Sequence, residues 1–477
     1  MALVKRIAVI LLSLALFAAP FAAVFALAQN ARGVYQNTFT AELPYKYDLL
    51  YATEGRKTVV VGGSSVCFGL DSALLSEMTG RKVVDFGLYA TLGTKVMLDL
   101  SKRAIGQGDT VILAPELDAQ TMSLYFNQNA VLEAFDGRYD MMRDVGGDNI
   151  GDIAGAFLTY ISKATNFRRE GIFPNPSGVY NRSSFNEYGD IAYPRTANVM
   201  ALGYDANRPV DLSADIISDD FIDYLNGYID DCAERGADVW FSFCPINRSG
   251  LKAGTTDDSI YEFYRYLSEK LHCRVISDIN DYILDREFFY DTNFHLNDIG
   301  VRIRTQTLAR DILRAEGDNR AVLIDYPDEP ADTTPEPTPV IIDKPDETFV
   351  FTSFGKGLAV TGVLDTAKDS SSLDIPREFD GMPVYAILAD AFEGCDALTS
   401  ITVHPNIVFI ADNAFNIPSL KSLFIDARDS GSMEAGDNIF GENSGAEIYL
   451  PDAESYENFV TGYWWSLYGG RMKIAKD

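Results

Sequence analysis

The sequence has few cysteines and few histidines, and both shortages limit the kinds of metal site, disulfide and catalytic base that the chain can form. Its cysteines are scattered, odd in number and never arranged as CxxC; the five are Cys67, Cys232, Cys244, Cys273 and Cys395. Such a set excludes a dense disulfide framework and lacks the ligand spacing of a zinc site, so we expect no metal and no cofactor. The three histidines are His272, His295 and His404. A reaction that needs an imidazole base must use one of them.

Basic residues are also scarce. There are 40 lysines and arginines against 69 acidic residues, which gives a formal net charge of −29. A surface of this sign repels nucleic acid and anionic lipid, so we expect neither as a partner. With 477 residues, 47% of them hydrophobic and 23% charged, the chain is typical of a globular protein of two or three domains.

One long apolar run, residues 7–28, stands at the N-terminus behind Lys5 and Arg6. It is long enough to span a membrane, and residues 26–28 also form a small-x-small signal cleavage site. We expect 1–29 to be an uncleaved membrane anchor, with a cleaved secretory signal as the alternative. In both cases the rest of the chain lies outside the cell membrane. Residues 30–56 are expected to be a polar and aromatic stalk.

From residue 57 to 325 the pattern alternates between buried strands and amphipathic helices. This rhythm predicts an α/β fold in which helices cover both faces of a parallel sheet. The rhythm breaks at about 120–215, where Tyr, Phe, Asn and Gly are frequent and the pattern predicts only one helix, near 153–161. We interpret this insertion as a cap over a site, or as an ordinary subdomain.

A segment rich in proline, threonine and acid, 326–348, is expected to be a linker, and an internal repeat follows at 349–477. The pair at 391–392, Ala-Phe, recurs at 414–415, and the Leu-x-x-Ile-x-Val of 398–403 has a counterpart at 420–425. This period is typical of leucine-rich repeats. Together with Gly-Met-Pro-Val at 381–384, the motifs resemble BspA-type leucine-rich repeats of bacterial surface and secreted proteins. The resemblance implies a small C-terminal solenoid that binds a protein or another cell-surface ligand.

Two glycines and two serines follow the first predicted strand, as Gly62-Gly63-Ser64-Ser65. Ligands bind outside the carboxyl ends of strands in open α/β sheets, so Ser64 is a candidate nucleophile, with Ser65 as the alternative. The competing interpretation is a Gly-Ser turn without chemistry. Far along the chain, Asp291 and His295 share a polar loop after the fifth predicted strand, and these are the residue types that activate a serine.

The order of these blocks resembles the SGNH (GDSL-type) hydrolase family. The resemblance implies a flavodoxin-like, three-layer α/β/α domain and a Ser64–His295–Asp291 triad. It also implies that the backbone N–H of Gly87 joins that of Ser64 in holding an oxyanion. The chain departs from the family in two ways. The third block holds Glu116 and Asp118 where the family has an oxyanion asparagine, and Asn247 is a candidate substitute. The aspartate also precedes the histidine by four residues instead of three.

The resemblance implies an exported serine esterase that acts on O-acyl groups of cell-envelope or extracellular glycans, so the expected partner is an ester-bearing small molecule or glycan. Two alternatives stay open. One is a non-catalytic surface binding or adhesion protein that keeps a degenerate SGNH scaffold. The other is an O-acyltransferase, which uses the same triad but excludes water.

Overall fold

The structure is a computed structural model, and it describes residues 23, 26–145, 150–171, 173–200, 202–327 and 344–475, the last range without 355–356, 429, 431–432, 437, 444, 461 and 463. Most of the predicted membrane anchor and of the 326–348 linker lie outside the described residues. Within these ranges, no helix is both long enough and apolar enough to cross a membrane.

The first part of the chain, up to residue 327, is an α/β unit. Its strands are β1 (Lys57–Gly62), β2 (Lys82–Gly87), β3 (Thr110–Leu113), β4 (Asp238–Phe241), β5 (Ile246–Asn247), β6 (Arg274–Val275) and β7 (Ile283–Leu284). Its helices are α1 (Leu43–Ala52), α2 (Ser64–Cys67), α3 (Ser72–Thr79), α4 (Thr94–Lys102), α5 (Gln128–Phe135), α6 (Ile150–Glu170), α7 (Asp219–Glu234), α8 (Asp257–Lys270) and α9 (Asp298–Ala315).

Five strands form one parallel sheet in the order β2-β1-β3-β4-β6. The β-branched residues of β1 alternate between its two faces. Val59 and Val61 belong to the large core that includes residues of α4 and α7. Val60 packs instead with Leu75 of α3 and Ile312 of α9. The structure therefore confirms the predicted α/β class and the parallel sheet, with helices on both faces.

The expected stalk at 30–56 is wrong, because its first part already contributes Val34 and Tyr35 to the large core. Residues 39–42 form a 3₁₀ turn that leads into α1. Leu43, Tyr47 and Leu50 of α1 are buried in the large core. Lys46, which lies between them, is fully buried and forms an ion pair with Asp85 of β2 at 2.8 Å. These contacts make α1 part of the α/β unit.

The insertion at 120–215 contains more helix than the sequence pattern predicted. One helix was expected near 153–161; α6 covers Ile150–Glu170, and α5 adds a second, capped by the side chain of Asn127. The segment after α6 consists of short 3₁₀ turns. Its side chains reach the site described below.

The C-terminal part is built mainly of short strands, which are β8 (Lys344–Pro345), β9 (Phe349–Phe354), β10 (Gly357–Val363), β11 (Ser372–Asp374), β12 (Glu378–Phe379), β13 (Met382–Ile387), β14 (Ser400–Val403), β15 (Phe409–Ile410), β16 (Ser422–Ile425), β17 (Glu434–Ala435), β18 (Glu447–Leu450) and β19 (Met472–Ile474), with one helix, α10 (Ala453–Val460). One sheet, β11-β14-β16-β18-β19, is parallel; the other mixes antiparallel and parallel pairs.

Residues that the internal repeat relates lie in register on neighbouring strands. Ile401 pairs with Leu423, and Leu423 pairs with Ile448. The ring centroids of Phe392 and Phe415 are 5.8 Å apart. All five side chains are buried, so equivalent positions of successive copies build one continuous apolar core.

Candidate active site

Ser64 opens α2 immediately after β1, at the carboxyl end of the sheet. The backbone packs tightly there: a Cβ placed on Gly87 would lie 2.5 Å from Cβ of Val66. Gly62 and Gly87 are register partners on adjacent strands. Because only glycine allows this approach, the two strand ends hold α2, and with it the Ser64 side chain, in one place.

The loop between β7 and α9 brings His295 to Ser64. Nε2 of His295 lies 2.8 Å from Oγ of Ser64, and Nδ1 lies 2.8 Å from Oδ1 of Asp291. The three side chains are buried, although 231 residues separate the serine from the histidine. This is the hydrogen-bonded order of nucleophile, base and orienting acid that activates a serine hydroxyl.

Neighbouring groups fix the histidine and its aspartate. Oγ1 of Thr292 accepts from the backbone N–H of His295 at 2.9 Å, which closes the four-residue turn between acid and base. The ring of Phe68 stacks on the imidazole at 3.9 Å with an interplanar angle of 6°. The Tyr180 hydroxyl donates to the second oxygen of Asp291 at 2.7 Å. Packing thus holds the imidazole, and a hydrogen bond holds the carboxylate.

The choice between Ser64 and Ser65 follows from the same contacts. Ser65 is fully buried, and its hydroxyl has no hydrogen-bond partner among the described residues. Its backbone N–H donates to Oε1 of Glu116 at 2.7 Å. Since the imidazole meets Ser64, the geometry favours Ser64 as the nucleophile.

Glu116, which follows β3, is the fourth member of the cluster. Its Oε1 lies 2.8 Å from Oγ of Ser64, and the residue is only 3% exposed. Burial raises the pKa of Glu116, and the nearby charge of Asp118 raises it further, while His295 and the hydrogen bonds from Ser64 and Ser65 lower it. The carboxyl group occupies the position where the family pattern has an asparagine.

Two predicted oxyanion residues have other partners. The N–H of Gly87 donates to Oδ1 of Asp85 at 2.8 Å and is therefore engaged. Asn247 uses its amide to donate to the carbonyl of Gly203 at 2.9 Å, and its Oδ1 accepts from the N–H of Ser249. Asn247 thus ties two loops together, and neither residue is a free donor at Ser64.

A cavity of about 500 Å³ opens beside Glu116. Aromatic, acidic and amide side chains from the α/β unit line it, and the C-terminal part closes one side; the lining includes Tyr89, Glu116, Asp118, Tyr125, Asp205, Arg208, Asn293, Phe294, Ser466 and Leu467. Ser64 and His295 are not among its lining residues, so Glu116 lies between the cavity and the serine. The volume is in the range of small-molecule sites.

Comparisons with known proteins add little to this geometry. No protein-family model matches the chain, and no curated protein matches it. A search of solved structures finds a T. pallidum leucine rich repeat protein, with 16% sequence identity and a TM-score of 0.17. The match covers 23% of this chain and 60% of the other. The chain thus spans less than two thirds of that protein.

Sequence reasoning missed the contributions of the insertion. Besides Tyr180, it supplies Arg195, whose guanidinium lies 5.4 Å from the Phe68 ring centre and donates to the Phe68 carbonyl at 3.0 Å. No motif surrounds either residue, so no local signal could have found them. Among the described residues, no group of three or more His, Cys, Asp or Glu side chains is placed to hold a metal ion.

Proposed function

We propose that this chain is an SGNH-type serine hydrolase that removes ester-linked acyl groups. The observation that carries the proposal is the unbroken contact series from Ser64 through His295 to Asp291. His295 accepts the Ser64 proton as Oγ attacks the ester carbonyl, and the imidazolium then protonates the departing alcohol. Water, activated by the same imidazole, hydrolyses the acyl-enzyme.

The substrate is an O-acylated glycan or a similar ester-bearing alcohol. The cavity beside Glu116 has room for a sugar ring, and its lining offers aromatic faces such as Tyr89, Tyr125 and Phe294 together with polar groups. We place the enzyme outside the cell membrane, because the apolar run at 7–28 directs export. The C-terminal part is a BspA-type leucine-rich-repeat module in this proposal, supported by the in-register repeats.

A fluorophosphonate probe tests the proposal directly. Ser64 attacks phosphorus, fluoride leaves, and the proton passes to His295, so only an activated serine is labelled. We expect labelling of the full chain, its loss in Ser64→Ala, and its retention in the matched control Ser65→Ala. A well-folded wild-type chain that resists the probe would favour the non-catalytic scaffold.

The burial of the site supports one second candidate, an O-acyltransferase. Ser64 and His295 are each only 1% exposed, which restricts the access of water to an acyl-enzyme. An acyltransferase would be labelled by the probe like the hydrolase. It would differ by releasing acyl groups from p-nitrophenyl acetate much faster when an alcohol acceptor such as a soluble glycan is added.

A further inference from the structure

The hydrogen-bond contacts around Ser64 require one proton more than a simple triad contains. Oγ of Ser64 lies 2.8 Å from Nε2 of His295 and 2.8 Å from Oε1 of Glu116. Each contact needs a hydrogen between its two atoms, and the hydroxyl supplies only one. In a triad the base donates the hydrogen on Nδ1 to its carboxylate, and here Nδ1 of His295 lies 2.8 Å from Oδ1 of Asp291. The additional proton must therefore sit on Glu116 or on Nε2 of His295.

The two positions of this proton have opposite consequences. On Nε2 it makes an imidazolium, which cannot accept the Ser64 proton. On Glu116 it leaves His295 as a base and turns the carboxylate into a donor. We propose that Glu116 carries this proton in the active form and donates a hydrogen bond to the oxyanion that forms when Ser64 attacks. The inference rests on the proposed function and assigns to an acid the role that an amide has in the family pattern.

The position of Glu116 supports this role. Glu116 lines the cavity and Ser64 does not, so a carbonyl group that approaches from the cavity meets the Glu116 carboxyl as it reaches the hydroxyl. An ionised carboxylate would repel the developing negative charge, whereas a neutral acid stabilises it. The N–H of Ser65 donates to the same Oε1 at 2.7 Å and so holds the carboxyl group at this point.

Burial and a neighbouring charge favour the neutral form of the Glu116 acid. Asp118 follows on the same loop, and its charge opposes ionisation of Glu116, as does burial. His295 acts in the opposite direction. The Cys244 thiol also faces Glu116 but has a raised pKa, so it is uncharged; Asp205 and Arg208 line the same cavity with opposite charges. Glu116 therefore gives up this proton only as the pH rises.

The test is the pH dependence of fluorophosphonate labelling. The phosphonyl oxygen of the probe takes the place of the oxyanion. In the wild-type chain we expect the labelling rate to fall about tenfold per pH unit on the alkaline side, where Glu116 loses its proton. Glu116→Gln keeps a donor at every pH, so this alkaline fall should disappear. Glu116→Ala lacks the side-chain donor and should label about 100-fold or more below Glu116→Gln.

Asp118→Asn is the matched control, because it neutralises a neighbouring carboxyl of the same cavity and leaves Glu116 in place. It should keep the alkaline fall but move it to lower pH, since the charge of Asp118 no longer opposes ionisation of Glu116. The inference is overturned if the wild type and Glu116→Gln share one alkaline profile, or if Glu116→Gln labels no faster than Glu116→Ala. Circular dichroism spectra of the variants exclude misfolding as the cause. If the proposed function itself is wrong, the result is distinguishable, because Ser64 of the wild-type chain would then not be labelled at any pH.

Discussion

Replacing Lys46 by methionine should destabilise the α/β unit strongly. Lys46 and Asp85 form an ion pair at 2.8 Å, and both side chains have 0% exposure. Methionine is similar in length, so the change removes the charge without opening a large cavity. An unpaired carboxylate then remains in the core, which costs about 3–5 kcal/mol. This is a large share of the roughly 5–15 kcal/mol that stabilises a typical domain.

The double variant Lys46→Met/Asp85→Leu separates the cost of the orphaned charge from the value of the pair. Replacing both partners by apolar groups is often neutral. Here Oδ1 of Asp85 also accepts from the N–H of Gly87, and losing that acceptor leaves a buried donor unpaired, at about 1–3 kcal/mol. The double variant should therefore be about 2 kcal/mol more stable than Lys46→Met.

Urea denaturation followed by ellipticity at 222 nm measures these differences, because all the described α-helices except α10 belong to the α/β unit. Arg248→Met is the control: Arg248 pairs with Asp285 at 2.8 Å, but both side chains are 58% exposed, so its loss should cost less than about 1 kcal/mol. If Lys46→Met costs no more than Arg248→Met, α1 is not an integral part of the unit and our reasoning fails.

Three further predictions concern the site and its surroundings. Tyr180→Phe removes the hydroxyl that donates to Asp291 at 2.7 Å; fluorophosphonate labelling should slow about 10-fold or more, with unfolding in urea little changed. Burial and the charge of Asp85 raise the pKa of Asp190 to about 7. Protonated Asp190 therefore contributes its full stabilisation of the fold below about pH 4, and this contribution is lost as the pH rises to about 7. The urea midpoint of Asp190→Asn should therefore fall less over this range than that of the wild type. Leu467 lies at the cavity wall and is 54% exposed, and Leu467→Glu should slow the hydrolysis of acylated sugars more than that of p-nitrophenyl acetate. The control Leu323→Glu, at a residue that is 79% exposed, should change neither rate.

The sheet could be predicted because its signals are local. Three consecutive valines in β1 and the Gly-Gly that follows define a buried strand and its end. The helix α3 carries its own boundaries, since Asp71 caps its start and Gly80, at φ 69°, ends it. Such features depend on neighbouring residues only, so the sequence alone indicates them.

The segment before β1 could not be predicted in this way. Tyr and Lys interrupt the apolar residues of α1, and a lysine in sequence normally indicates a solvated face. Only the fold shows that Lys46 meets a carboxylate 39 residues away in β2. The partner of a buried charge is set by tertiary structure, so local patterns do not reveal it.

The same distinction between local patterns and tertiary contacts applies to the candidate site. The sequence indicated Ser64, His295 and Asp291, because their residue types and order follow a known pattern. It did not indicate that Glu116 touches the Ser64 hydroxyl, 52 residues away, or that Tyr180 holds Asp291 across 111 residues. It also suggested Gly87 and Asn247 as oxyanion donors, although the hydrogen bonds of both are used elsewhere.

A series of direct contacts links the buried ion pair to the candidate site. Lys46 neutralises Asp85, and Asp85 in turn accepts the N–H of Gly87. Gly87 packs against Val66 of α2, the short helix that begins at Ser64. A chain that begins at residue 57 would lose Lys46 and leave a charge unpaired two residues from this contact. Because that loss would disturb α2 as well as stability, inactivity of such a chain would say nothing about the triad. The chemistry of Ser64 can be judged only on a chain that includes α1.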